Sequence, residues 1–145
     1  MQGRQQVHAT CVTRDTDGVL LIGPPGAGKS DLALRLLARG FTLVADDWVE
    51  VVDGIAQPPA TLAGLLEVRG LGIVRLPYAA STRLALVVQL GPQAAERLPE
   101  PAWDDALNLP TIRLDPTAAS APERVALALD CALGRVSQVA GAFAA

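Results

Sequence analysis

The sequence predicts a single α/β domain on a mixed β-sheet, and three observations point there. A phosphate-loop consensus stands between an apolar β-rich run and a helical stretch. β-Rich runs outnumber helical ones, with only one clear strand–helix–strand unit, so a fully doubly wound sheet is not expected. The 145 residues leave room for one sizeable core and no second domain.

Taken in order, VHATCVT (7–13) and VLLIG (19–23) are β-rich runs separated by RDTDG. The Asp17-Gly18 pair predicts a hairpin turn with positive φ. Ser30 to Arg39 places Leu32, Ala33, Leu36 and Leu37 at helical spacing, and Gly40 stands where a left-handed C-terminal cap belongs. FTLVA (41–45) is a short apolar strand ending in Asp46-Asp47. WVEVV and IAQ flank Asp53-Gly54 as a second hairpin before the Pro58-Pro59 break.

LLEVRGLGIV (65–74) reads as an extended segment interrupted by two glycines, and RLALVVQL (83–90) as a core strand. QAAERL (93–98) suits a helical turn or two, and TIRL (111–114) a short strand. A last helix is marked by Pro122 in its first turn, by Val125, Leu129 and Leu133 on one face, and by Gly134 beyond its end. Residues 1–136 read as one domain, and SQVAGAFAA (137–145) as a flexible tail.

Composition narrows the function classes. Half the residues are apolar but only 3% are aromatic, so Leu, Val, Ile and Ala must build the core. A net charge of −3 and a pI near 5.0 supply no basic field for nucleic acid or anionic lipid. Cys11 and Cys131 have no metal-site spacing and read as small buried thiols. No apolar run is long enough to span a bilayer, and the expectation is a soluble, cytoplasmic protein.

Gly23-Pro24-Pro25-Gly26-Ala27-Gly28-Lys29-Ser30 satisfies G-x-x-x-x-G-K-[ST] in the strand-to-helix context that the mechanism needs. Its backbone N–H groups and the following helix N-terminus suit phosphate oxygens, and Ser30 suits Mg²⁺. Lys29 is the only lysine beside eleven arginines. A compact ammonium fits within such a loop where a guanidinium does not.

Two aspartates follow soon after. A ten-residue helix climbs roughly 15 Å and five residues of strand return roughly 16 Å, so the distances nearly cancel. A right-handed crossover sets FTLVA parallel to VLLIG, with Asp46 and Asp47 at the carboxyl end beside the phosphate loop. If the extended conformation continues, the two side chains alternate and do different work. The position is too early for the metal-binding acid of an AAA-type ATPase but suits a base that accepts a proton from an attacking hydroxyl. A solvated turn or a helix N-cap is the alternative.

VHATCV, GPPGAGKSD, RGFTLVADDWVEV and LEVRGLGI, in that order, resemble the catalytic domain of the HPr kinase/phosphorylase family. R-G-L-G-I after Glu-Val is the most specific of the four. The resemblance implies a P-loop domain of the HPr kinase/PEP-carboxykinase-like type with a mixed sheet. It implies ATP and Mg²⁺ as cofactors, HPr or an HPr-like protein as acceptor, and a homo-oligomer among the arrangements to test.

By the same resemblance, Lys29 is the phosphate-loop lysine, Ser30 the Mg²⁺-binding serine and Asp47 the general base. Asp46 is a carboxylate on the metal side, and Glu67 a second Mg²⁺-linked carboxylate. Arg69, Gly70, Leu71, Gly72 and Ile73 form the catalytic loop. His8 is implied as an active-site residue, an isolated core histidine being the alternative, and Arg97 as a later active-site arginine, a surface ion-pair partner being the alternative. The family's P-x-R-P-G-R-N stretch is represented by IRLDPTAASAPER (112–124), so phosphorolysis is not expected from these residues. A small-molecule kinase and a nucleotide-binding interaction module remain the other readings.

Overall fold

The computed structural model describes residues 4–92 and 96–144. Its strands are β1 (Gln5–His8), β2 (Thr10–Arg14), β3 (Asp17–Ile22), β4 (Thr42–Ala45), β5 (Trp48–Val52), β6 (Ile55–Gln57), β7 (Leu65–Val68), β8 (Gly72–Arg75), β9 (Thr82–Leu90), β10 (Ala102–Asp104) and β11 (Leu109–Leu114). The helices are α1 (Lys29–Leu37) and α2 (Ala121–Ala132). The α/β class and the mixed sheet are as expected.

The main sheet runs β1-β5-β6-β9-β3-β2-β4. β3, β9 and β11 are mutually parallel through β9, and the remaining pairings are antiparallel. One edge of the long β9 is divided, because β6 pairs with Thr82 and Arg83 while β11 pairs with Val87 to Leu90. β10 extends the sheet beyond β11.

Apolar side chains fill both faces of this sheet. Val19, Leu21, Leu86, Val88 and Leu90 pack under α1 and α2, against Leu32, Leu36, Val125 and Leu129. Cys11, Leu20, Val44, Val49 and Val87 form the opposite layer. Leu84 and Leu86 are two residues apart yet face opposite layers, because the β3–β9 register shifts at Gly18/Val19. A bulge adds one residue and so reverses the alternation beyond it.

Several local expectations are corrected. The 7–13 run breaks at Ala9 into β1 and β2, which pair with different partners. The turn before β3 lies at Asp15-Thr16, with Asp15 at φ 56°, while Asp17 and Gly18 are already in the strand. β4 runs parallel to β3 but is not its neighbour, since β2 lies between them and is antiparallel to both. The 65–74 segment is a β7–β8 hairpin forming its own two-stranded sheet.

Gly40 (φ 91°), the Asp53-Gly54 turn and Gly134 (φ 75°) are where the sequence puts them. The helical turn expected over 93–98 falls partly on 93–95, outside the described residues, and 96–98 are not helical. The tail is folded back, with Phe143 packed on the helix-side core and its N–H donating to Gln138 Oε1 at 2.7 Å.

Gly18 is required by a close approach. A Cβ there would lie 2.5 Å from Thr82 Cγ2, and Thr82 is held by hydrogen bonds to Thr13 Oγ1 and the Thr16 carbonyl. Gly18→Ala is expected to lower stability by about 1–3 kcal/mol in urea unfolding, and Thr82→Ser, which removes that methyl, to restore most of it. Burial pushes the Cys11 thiol well above its ordinary range. Mass-spectrometric alkylation of the native protein should therefore label Cys131 and spare Cys11 until unfolding.

Candidate functional site

The phosphate loop leaves β3 at Gly23 and enters α1 at Lys29. Gly26 (φ 80°) and Gly28 (φ 101°) take left-handed conformations, the kind a phosphate loop needs to aim successive amides at an anion. Lys29 is only 8% exposed. Its ammonium donates to the carbonyls of Gly23 at 2.8 Å and Pro24 at 3.1 Å, which leaves one of its three hydrogens for an anion in the loop.

Asp46 stands at the carboxyl end of β4 and is 8% exposed. Its Oδ1 accepts from Ser30 Oγ at 2.8 Å and from Thr10 Oγ1 at 2.8 Å, and its Oδ2 accepts the Glu67 N–H at 3.3 Å. The β2–β4 pairing, with Cys11 opposite Ala45, carries Thr10 to this carboxylate. All three donors are neutral, and among the described residues no lysine or arginine forms an ion pair with Asp46. A buried carboxylate without a cation, touching a phosphate-loop hydroxyl, suits a divalent ion.

Asp47 departs from the extended conformation that adjacent aspartates would otherwise share. Its φ is 75°, and the Trp48 N–H donates to the Asp46 carbonyl at 2.9 Å, closing a tight three-residue turn. A γ-turn with positive φ at its centre is strained in an L-residue. The turn carries the Asp47 side chain, 63% exposed, into the open cleft while Asp46 stays inside. β1–β5 pairing sets His8 opposite Trp48, so His8 Nε2 lies 2.8 Å from Asp47 Oδ1 and its ring lies 5.1 Å from that of Trp48.

The β7–β8 hairpin makes the far wall. Leu66 is fully buried and anchors it, while Leu71 and Ile73 are 73% and 69% exposed at its tip. His8, Pro25, Gly26, Gly28, Lys29, Ser30, Asp46, Asp47, Glu67 and the whole 69–73 run line one cleft of about 990 Å³. Gly23 and Pro24 hold the lysine from the base of the loop, and Ala27 faces a separate, smaller cavity. Arg97 is exposed and does not line the cleft. Thr10 and Trp48 are site residues that sequence reasoning missed, since both act through pairings between distant strands.

Among the described residues no cluster of three or more His, Cys, Asp and Glu side chains could cage a metal. The donors present, the Ser30 hydroxyl and the carboxylates of Asp46 and Glu67, are hard oxygens on a phosphate loop. They fit a magnesium ion that takes the rest of its shell from phosphate and water.

A family profile described as HPr Serine kinase C-terminal domain matches residues 1–97. The chain belongs to that family. It is 37% identical over 136 residues to an HPr kinase/phosphorylase of Leptothrix cholodnii, covering 80% of this chain and 41% of that one. It is 43% identical over 110 residues to the HPr kinase/phosphorylase of Bordetella pertussis (64% and 36%), and 45% identical over 76 residues to that of Levilactobacillus brevis (49% and 24%). The chain thus spans less than half the length of these HPr kinase relatives. The solved structure titled Hpr(Ser) kinase/phosphatase from Coxiella burnetii shares the fold, with a TM-score of 0.73 at 24% identity, over 90% of this chain and 92% of that one.

The strain at Asp47 is testable by itself. Asp47→Gly should be more stable than Asp47→Ala by about 1 kcal/mol, because only glycine adopts this φ without penalty. Urea midpoints of the two variants check it.

Proposed function

We propose that this domain is an ATP- and Mg²⁺-dependent protein-serine kinase acting on HPr or an HPr-like phosphocarrier protein. The observation that carries the proposal is the convergence on one cleft of a buried phosphate-loop lysine, a Ser30–Asp46 pair and an exposed Asp47 oriented by His8. Family membership supports the choice of acceptor.

The loop amides and Lys29 bind the phosphates of the donor. Ser30 and Asp46, with Glu67 above them, are the residues that would hold Mg²⁺, which when bound supplies charge neutralisation on the transferring group. His8 occupies Asp47 Oδ1 and fixes the carboxylate, leaving Oδ2 for the acceptor. Asp47 then accepts the proton of the incoming serine hydroxyl as its oxygen attacks phosphorus. Lys29 holds charge that shifts toward the leaving phosphate. The exposed hairpin tip at Leu71 and Ile73, on the wall of the same cleft, offers the acceptor protein an apolar surface.

Lys29→Ala and Asp47→Asn should each lower turnover on the order of 10³-fold, and Asp47→Asn, at an exposed side chain, should leave the urea midpoint nearly unchanged. The measurement is transfer of label from γ-labelled ATP to serine of purified HPr. An Asp47→Asn enzyme of full rate would remove the base assignment, and label on a small molecule would move the acceptor from protein to metabolite.

A further inference from the structure

Among the described residues the Asp47 carboxylate has one hydrogen-bond partner, His8 Nε2 at 2.8 Å. The imidazole in turn has that bond and one ring contact, with Trp48, at 5.1 Å between centroids and 58° between planes. Separation and tilt both lie in the favourable range for an aromatic pair. His8 is partly exposed, so its ring has an open side toward which it could otherwise turn.

The strand register builds this contact. His8 and Trp48 are directly opposite in the antiparallel β1–β5 pairing, one step from the Val7–Val49 pair that packs in the core layer. Opposed residues share a side of the sheet and alternate with their neighbours, so the two rings project together away from that layer. Trp48 also closes the turn that presents Asp47, its N–H donating to the Asp46 carbonyl at 2.9 Å. Carboxylate and indole are thus carried by consecutive residues of one tight turn, and His8 bridges them from the neighbouring strand. His8 and Asp47 line the large cleft, whereas Trp48 does not.

We propose that Trp48 is a positioning residue for phosphoryl transfer: its indole pins the His8 ring, so that Nε2 stays on Asp47 Oδ1 and Oδ2 stays turned to the acceptor hydroxyl. The proposal rests on the base reading of Asp47 and adds what orients that base. Without the indole the imidazole turns away part of the time, and the exposed Asp47 side chain then samples rotamers unsuited to taking a proton. The loss falls on turnover and not on binding, since Trp48 lies on no wall of the cleft.

Trp48→Val keeps a residue suited to a strand and removes the ring, while Trp48→Phe keeps a ring. In label transfer from γ-labelled ATP to purified HPr by the full chain, Trp48→Val should lower kcat about three- to tenfold, the equivalent of one aromatic contact, and leave KM for ATP and HPr unchanged. Trp48→Phe should restore most of the rate. In a His8→Ala background Trp48→Val should have no further effect, because the indole acts through the imidazole. His8 is the only histidine of the chain, so its imidazole NMR signals stand alone. Trp48→Val should remove their ring-current shift and Trp48→Phe should keep part of it.

The proposal is overturned if Trp48→Val leaves kcat or the His8 signals unchanged, if it raises KM for HPr instead, as a docking residue would, if its effect persists without His8, or if Trp48→Phe is as slow as Trp48→Val. An Asp47→Asn enzyme of full rate would overturn the base reading itself. The NMR signals require no acceptor, so they decide the ring packing even if HPr is left unlabelled.

Discussion

The site is organised around one buried carboxylate. Asp46 gathers a hydroxyl from β2, a hydroxyl from the start of α1 and an amide from β7, so three separately folded pieces meet at its two oxygens. Each donor is neutral, so this largely buried carboxylate on the cleft wall has its hydrogen bonds but no cationic partner among the described residues. The arrangement is complete in hydrogen bonds and incomplete in charge. That imbalance gives the phosphate loop a reason to attract a cation together with its anion.

Asp47 does the opposite work from the adjacent position. Two neighbouring acids would compete for the same role if both faced the interior, or would diverge to opposite faces if the strand continued. The strained turn resolves this by placing Asp47 in the open cleft, where His8 engages one of its oxygens. Backbone strain at such a residue is maintained only because the surrounding pairings, β1 with β5 and β2 with β4, leave the chain no easier path.

Elements set by local chemistry were legible in the sequence. The phosphate loop, the Gly40 stop after α1, the Asp53-Gly54 hairpin, and α2 with Pro122 and Gly134 at its ends all follow from short-range propensities. What long-range pairing decides was not legible. Nothing in VHATCVT says that Ala9 divides two strands with different partners, or that β2 inserts between β3 and β4. The near-cancellation of helix rise and strand return brought the aspartates to the correct edge even though the strands are not neighbours, because β3 and β4 still point the same way. Glu67 and the 69–73 run were named through a family signature, whereas their folding into a hairpin wall depends on Gly70 (φ 83°) and Gly72 (φ 123°), which a linear reading took as interruptions of one strand. Thr10 left no signal at all, since a threonine in a strand is ordinary until its partner across the sheet is known.

The parallel pairing of β3 with β9 has a kinetic consequence. Asp17 and Arg83 are in register although the phosphate loop, α1 and two hairpins lie between them in the chain. Closing so long a loop costs entropy before any contact repays it, which makes this pairing a slow event. Until it occurs, Leu20 and Leu21 have only the β2–β3 hairpin, and Val87 and Val88 only the β9–β11 pairing, to lie in. The same step that completes the hydrophobic centre sets the base of the phosphate loop, and a nascent chain waiting for it offers two apolar ribbons to its neighbours.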